Sequence, residues 1–342
     1  MVKVELVKNG AAWETFLNCR TGATGFHRFA WGEALQKAAG HQPYFLQAEE
    51  GEEVVGVLPL SLMEGRLFGK FLVSLPHYLG GICAASETAA EVLIERACEL
   101  ADELQVKALE LRGNAPQPAA EKRGMFLDEH KASFLIDLTP GEAALWKNLR
   151  KQTRYRIRKG QQAGLTIETG PHLLEDFWRI FSLNTRAIGS LTFSRQFFRA
   201  VLAAFGNEAQ LLAARQQGKV VAAKLVLGFR DTLTMLWGGT RPKLKAEGVN
   251  YLLTWETLRY ALGKGYRVLD MGRSTIDSGP YKFKAHWGGE ELRHHWYIYA
   301  RVGGPEAMRA ESARFRLARR IWRNLPLPVT RALGPWIARQ IP

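Results

Sequence analysis

The sequence predicts a two-domain α/β protein with mixed sheets, and three observations carry that prediction. A length of 342 residues exceeds what one hydrophobic core usually serves, so two domains of similar size are expected. Short apolar runs alternate with amphipathic stretches along nearly the whole chain. Late in the chain, three consecutive strand-like runs are followed by a helix and one further strand. A hydrophobic fraction of 46% with 11% aromatics excludes a disordered polypeptide. The formal net charge of +14 directs attention to polyanionic partners: RNA, anionic lipid or a phosphorylated substrate.

The first domain, assigned to residues 1–140, opens on Met1 to Gly10, which alternates like a strand and lacks the apolar core of a signal peptide. Ala30 to Ala39 reads as a short helix. Tyr44 to Ala48 and Glu53 to Leu62 read as strands around the acidic turn Glu49-Glu50-Gly51-Glu52. From Ala89 to Leu104, the apolar residues Ala90, Leu93, Ala97, Leu100 and Leu104 recur at helical spacing. Ala108 to Leu111 and Ser133 to Leu138 are strands, separated by the turn-rich Gly113 to Pro118.

A second domain, residues 141–302, is expected to start at Thr139-Pro140-Gly141-Glu142, which has the capping-box pattern with proline at the first helical position. In the helix that follows, Trp146, Leu149, Thr153 and Ile157 form one stripe and Lys147, Lys151, Arg154 and Arg158 the next. With Arg150, Arg156 and Lys159 these make seven cations, and no acid lies between Glu142 and Glu168. Uncompensated charge of one sign repels itself along a helix, so this face is expected to bind a polyanion. Helices follow at Glu175 to Thr185 and Arg195 to Phe205. Gln210 to Arg215, Val220 to Phe229 and Leu233 to Gly238 form an antiparallel meander, then Val249 to Leu262 a helix and Val268 to Asp270 a strand. This order resembles the core of a GNAT-type acyltransferase.

Residues 303–342 form a basic tail. From Arg301 onward there are nine arginines, no lysine and only Glu306 and Glu311 as acids. Phe315, Ala318, Trp322 and Leu325 make an apolar stripe suited either to an anionic membrane interface or to packing on the domains. No window approaches the ~20 apolar residues that span a bilayer. Cys19, Cys83 and Cys98 lack metal or redox spacing, so a cytoplasmic protein is expected, peripheral at the inner face of the membrane if the tail binds lipid.

Several chemistries have no counterpart. There is no nucleophile elbow, Walker loop or dinucleotide fingerprint, and adjacent His294 and His295 point to opposite faces of a strand, so no metal or cofactor is expected. The richest segment is Asp270 to Gly289, where Arg273, Ser274, Tyr281, Lys282, Phe283, Lys284 and Trp287 leave a strand end together. Aromatics, hydroxyls and cations in one loop suit a pocket for a bulky anionic or acyl substrate. Direct acyl transfer needs a positive group where the tetrahedral oxyanion develops, and Lys284 is the candidate. Arg273 and Ser274 are placed to bind a phosphate or carboxylate, with Tyr281 and Trp287 walling the pocket and Phe283 holding the backbone.

Gly272-Arg273-Ser274 and Phe283-Lys284-x-x-Trp287-Gly288 resemble the C-terminal signature of the FemABX-like transferases, in particular a subgroup associated with exosortase and exopolysaccharide loci. Phe26-His27 with Trp31, Gly56 to Leu60, Ser74-Leu75-Pro76 before Gly80-Gly81, Arg154 to Gly164, Gly248-Val249-Asn250 and Trp322 to Val329 extend the resemblance along most of the chain. It implies two tandem GNAT-like domains and acylation of an amine on a peptidoglycan or exopolysaccharide precursor, lipid-linked or free. It also implies an aminoacyl-tRNA donor, Lys284 in catalysis and Asn250 near the substrate. Arg241 to Asn250 retains Gly248 of a pyrophosphate-binding turn but lacks its second glycine and carries Glu247, which favours tRNA over acyl-CoA. A CoA-dependent N-acyltransferase and an inactive membrane-associated scaffold are the alternatives.

Overall fold

The computed structural model describes residues 1–75, 79–242, 244, 248–301 and 313–341. The chain begins with β1 (Val2–Leu6), α1 (Ala11–Cys19), α2 (Ala30–Ala39), β2 (Gln42–Glu50), β3 (Glu53–Gly65), β4 (Gly69–Val73) and β5 (Cys83–Ala84). It continues with α3 (Glu87–Glu103), β6 (Ala108–Gly113), α4 (Pro118–Lys122), β7 (Phe126–Asp128) and β8 (Lys131–Asp137). Next come α5 (Gly141–Asn148), α6 (Lys151–Gln162), β9 (Thr166–Thr169), α7 (Leu174–Ile188), α8 (Arg195–Phe205), β10 (Ala209–Gln216), β11 (Lys219–Phe229) and β12 (Thr232–Thr240). Last are α9 (Val249–Gly263), β13 (Val268–Asp270), β14 (Ser274–Thr275), α10 (Gly279–Ala285), β15 (Glu290–Arg293), β16 (His295–Ala300), α11 (Ala313–Asn324) and α12 (Leu327–Ala338).

Two compact units result, each built on a mixed sheet. In the first, the strands run β1-β2-β3-β4-β6-β16-β7, with β4 and β6 parallel and the other pairs antiparallel. In the second, the order is β14-β8-β13-β12-β11-β10-β9, with β12 and β13 parallel. The two sheets repeat one plan: an antiparallel meander, a helix, a parallel neighbour and an antiparallel strand beyond it. No sequence repeat announces this, because side-chain identity is constrained only to apolar faces of the right period.

The division differs from a cut at residue 140. Strand β8 pairs with β13 in the second sheet, and the second unit runs from Lys131 to Leu292 with Ala313–Pro335. Strand β16, expected in the second domain, instead lies between β6 and β7 of the first sheet. Its Tyr297 is fully buried in the first unit's core beside Leu46, Leu58, Leu72 and Leu109.

Local signals explain most elements. Ser86 and Ser194 accept hydrogen bonds from Ala89 N and Phe197 N and so open α3 and α8. Gln217 and Arg230 take positive φ at the two meander turns, of 48° and 52°. Two expectations fail. Thr139 makes no cap: its hydroxyl donates to Asp137, and α5 starts without a side-chain cap. The long basic helix is also interrupted, since Leu149 and Arg150 are extended with ψ near 143° and separate α5 from α6.

Candidate functional site

Strands β12 and β13 pair in parallel only from Thr232↔Val268 to Thr234↔Asp270. Beyond that point β12 continues to Thr240 while the other strand turns away at Met271 and Gly272, which opens the sheet into a splay. A slip in the β11–β12 register leaves Leu236 as the extra residue of a bulge there, a device that re-aims side chains beside many active sites.

Three ionisable side chains are gathered at the splay. Asp270, 7% exposed, accepts a 2.7 Å bond from Gly272 N. Gly272 has φ +76°, a conformation that suits glycine and turns two carbonyls inward. Lys284, on α10, donates to those carbonyls, 2.6 Å to Gly272 O and 3.1 Å to Arg273 O. Desolvation pushes the Asp270 carboxyl up, opposed by its bond from Gly272 and by Lys284. The same cause pushes Lys284 down, opposed by Asp270 and reinforced by Arg273.

The third group, Lys224 of β11, was not singled out from the sequence. It is 7% exposed; its Nζ donates to Thr254 Oγ1 on α9 and lies 3.6 Å from Met235 Sδ. Burial, with the charge of Lys284 adding to it, lowers its pKa to about 7. A lone lysine inside the apolar run Val220 to Phe229 was the available signal.

The segment read as a loop contains the seven-residue helix α10, with Ser278 accepting from Tyr281 N and Pro280 in its first turn. Phe283 packs edge-on to Tyr251 at 4.9 Å, which fixes α10 on α9. Trp287 is 3% exposed in the core, so it does not wall an open pocket. Tyr281 is tied to Glu291 at 2.6 Å and its ring is tilted against Phe134 at 5.1 Å, a packing role. Ser274 Oγ is buried with no hydrogen-bond partner among the described residues, and Arg273 is half-buried beside it. Asn250 sits in the first turn of α9, its carbonyl accepting from Thr254.

Gly248 has a structural explanation. With φ +77° it starts α9, and a Cβ there would run into Arg156 O of α6, while one on Gly160 would lie 2.9 Å from Gly248 O. Both glycines are required by a close helix crossing. Glu247 lies outside the described residues, as do Pro76 and Lys245.

Of the four polyanion candidates, Lys147, Lys151 and Arg158 are exposed. Arg158 lies 5.6 Å over the Trp146 ring. Arg154 does not belong with them: it donates 2.7 and 2.8 Å bonds to Lys147 O and Leu149 O and so caps the end of α5.

The first unit has a splay of its own. Parallel pairing of β4 with β6 ends at Val73↔Glu110, and a cavity of about 290 Å³ opens beyond it. His27, Gly80, Gly81 and Arg112 line this cavity, so motif residues distant in sequence meet here. Glu110 occupies the place of Asp270 and is held by Arg112, whose Nε donates at 2.9 Å and whose guanidinium stacks 4.5 Å from Trp296. His27 accepts from Thr24 N, and burial lowers its pKa to about 4, leaving it neutral. Each unit thus carries a buried carboxylate at its splay, paired with Arg112 in the first unit and within the electrostatic reach of Lys284 in the second.

Residues 147–285 match the acetyltransferase (GNAT) domain family. The fold is that of FemX, with TM-score 0.70 at 13% identity over 87% of this chain and 97% of the other. A tandem GNAT protein from the clavulanic acid biosynthesis pathway gives 0.61 at 13%, covering 89% and 100%. L-PGS from Bacillus licheniformis gives 0.57 at 13%, covering 97% of both chains. No curated protein matches the sequence. Residues 147–285 thus carry the GNAT acetyltransferase domain. The chain as a whole has the fold of FemX and of a tandem GNAT protein, with two GNAT-like units in succession.

Proposed function

We propose that the protein transfers an aminoacyl group from tRNA to an amine of a cell-envelope precursor, by direct attack and without a covalent enzyme intermediate. The observation that carries the reading is Lys284 at the splay of β12 and β13, with two of its three donors on carbonyls and one remaining. That third N–H is the group offered to the oxyanion that forms when the acceptor nitrogen attacks the acyl carbon. As the C–N bond forms and the C–O bond to the tRNA ribose breaks, the proton lost by nitrogen goes to the departing ribose oxygen. Arg273 and Ser274 flank Lys284 and hold an anionic group of the acceptor.

An envelope precursor is favoured by the likeness to FemX, and the peptidoglycan or exopolysaccharide acceptor follows from the sequence resemblance. The crossing of α6 over Gly248 supports tRNA over acyl-CoA. A backbone carbonyl fills the place where a pyrophosphate would approach the N-terminus of α9, while α6 brings cations to the same end. The reaction then belongs to the cytoplasm, where charged tRNA is available. Purified protein incubated with charged tRNA, or with acyl-CoA, and an amino-sugar or peptide acceptor tests this by mass spectrometry of the acceptor. Transfer from acyl-CoA alone would replace the donor assignment; transfer from neither would leave the scaffold reading standing.

A further inference from the structure

The last two helices present an apolar surface that the domain fold does not use. Leu317 and Ile321 on α11 are 59% and 55% exposed, and Val329 and Leu333 on α12 are 37% and 45%. These are four of the ten large apolar side chains exposed among the described residues, and they fall within 17 positions. That density separates them from the scattered single exposures normal on any surface.

The exposed stripe is not the one the sequence suggested. Trp322 Nε1 donates to Ser190 O at 3.1 Å, Arg323 donates to Ile188 O at 3.0 Å, and Leu325 O accepts from Arg186 at 2.6 Å. That side of α11 therefore lies against the end of α7, where Arg319 covers Gly189. The side chain of Phe315 lies outside the described residues. Leu317, Arg320, Ile321 and Asn324 recur at i, i+3, i+4 and i+7 and form the outward face.

Charge selects the partner. From residue 313 to 342 there are seven arginines and no acidic residue. A second copy of the chain would bring this charge against itself. RNA would gain nothing from exposed leucine, isoleucine and valine, and Trp322, the tryptophan of α11, is turned toward Ser190. Apolar side chains interleaved with arginine fit a surface that is anionic outside and hydrocarbon beneath. We propose that α11 and α12 dock the protein peripherally on an anionic phospholipid bilayer, with Leu317, Ile321, Val329 and Leu333 entering the headgroup boundary and Arg320 pairing with lipid phosphates. No helix among the described residues is long and apolar enough to cross a membrane, so contact is at the surface.

Flotation of the full chain with vesicles tests this. Binding is expected to vesicles of equal parts phosphatidylglycerol and phosphatidylcholine, to weaken with salt, and to be absent with phosphatidylcholine alone. Leu317→Ser with Ile321→Ser should weaken binding by about ten- to hundredfold. Arg320→Gln should weaken it about fivefold. Unchanged melting temperatures of these variants would show that their effect lies at the surface. Equal binding to neutral vesicles, no binding to either kind, or full binding by the double serine variant would overturn the proposal. So would a double variant that alters only the sedimentation coefficient or tRNA affinity, since those outcomes assign the face to a second copy or to RNA.

Discussion

Replacing Lys224 by Met should make the protein more stable at neutral and acidic pH. The buried ammonium has a pKa of about 7 against an ordinary 10.5, a difference of about 3.5. At roughly 1.4 kcal/mol for each tenfold change in proton affinity, this corresponds to on the order of 5 kcal/mol. The sign follows from proton counting. Between pH 7 and 10.5 the unfolded chain binds a proton at Lys224 that the folded chain does not, so wild-type stability rises with pH across that window. Below pH 7 the lysine is charged in both states and the whole penalty is present. Methionine fills a similar volume beside Met235 and loses only the bond to Thr254, about 1 kcal/mol. The variant's advantage should therefore be several kcal/mol at pH 6 and vanish toward pH 10. Urea denaturation of both proteins at pH 6, 7, 8 and 9 measures it. Parallel stability curves for the two proteins would refute the reasoning, because Lys224 would then titrate alike folded and unfolded.

Lys284→Met should lower acyl transfer by about 10²–10³ with the fold intact. Lys284→Arg should move the alkaline limb of the pH–rate profile to higher pH, since desolvation brings the lysine's deprotonation down and a guanidinium does not deprotonate; an unmoved limb would assign it to another group. Changing Lys147 and Lys151 to Gln should make the salt slope of tRNA binding shallower by roughly 1.5, at about 0.7–0.9 for each phosphate contact. Arg154→Gln should leave that slope alone and cost about 1 kcal/mol of stability through the lost cap. Gly248→Ala should destabilise by roughly 1–3 kcal/mol from its backbone conformation alone. The overlap with Arg156 O adds to that, and a denaturation midpoint equal to wild type would deny the close crossing.

Much of the fold was legible because it is written locally. The meander of β10, β11 and β12 shows as apolar runs divided by Gln217-Gly218 and Arg230-Asp231, and α8 begins where its Ser194 cap is read. Helix α10 had the same kind of signal in Ser278 and Pro280, but its aromatics and lysines suggested a loop instead. The break at Leu149 and Arg150 was hidden because helical spacing continues through it. A tertiary contact, Arg154 gathering the carbonyls that end α5, decides the matter. Within the site, Lys284 and Arg273 were read from their types and spacing. Asp270 and Lys224 were not, because their character comes from burial, and burial depends on strands far apart in sequence. Gly248 was read as the remnant of a pyrophosphate turn, and its packing role was not legible, since its neighbour Gly160 lies 88 positions earlier.

The position of β16 bears on how the chain is made. Between Asp128 at the end of β7 and His295 at the start of β16 lie 166 residues. At about 5–20 residues per second, ribosomes need roughly 10–30 s to synthesise them. Throughout that interval β6 and β7 have no strand between them, and the place of Tyr297 in the core stands open. Bare strand edges of this kind pair readily with other chains. The half of the protein that leaves the ribosome first is therefore the last to close. A polypeptide stopped near residue 140 carries a sheet that lacks an interior strand, and it should collect in the insoluble fraction until β16 is supplied.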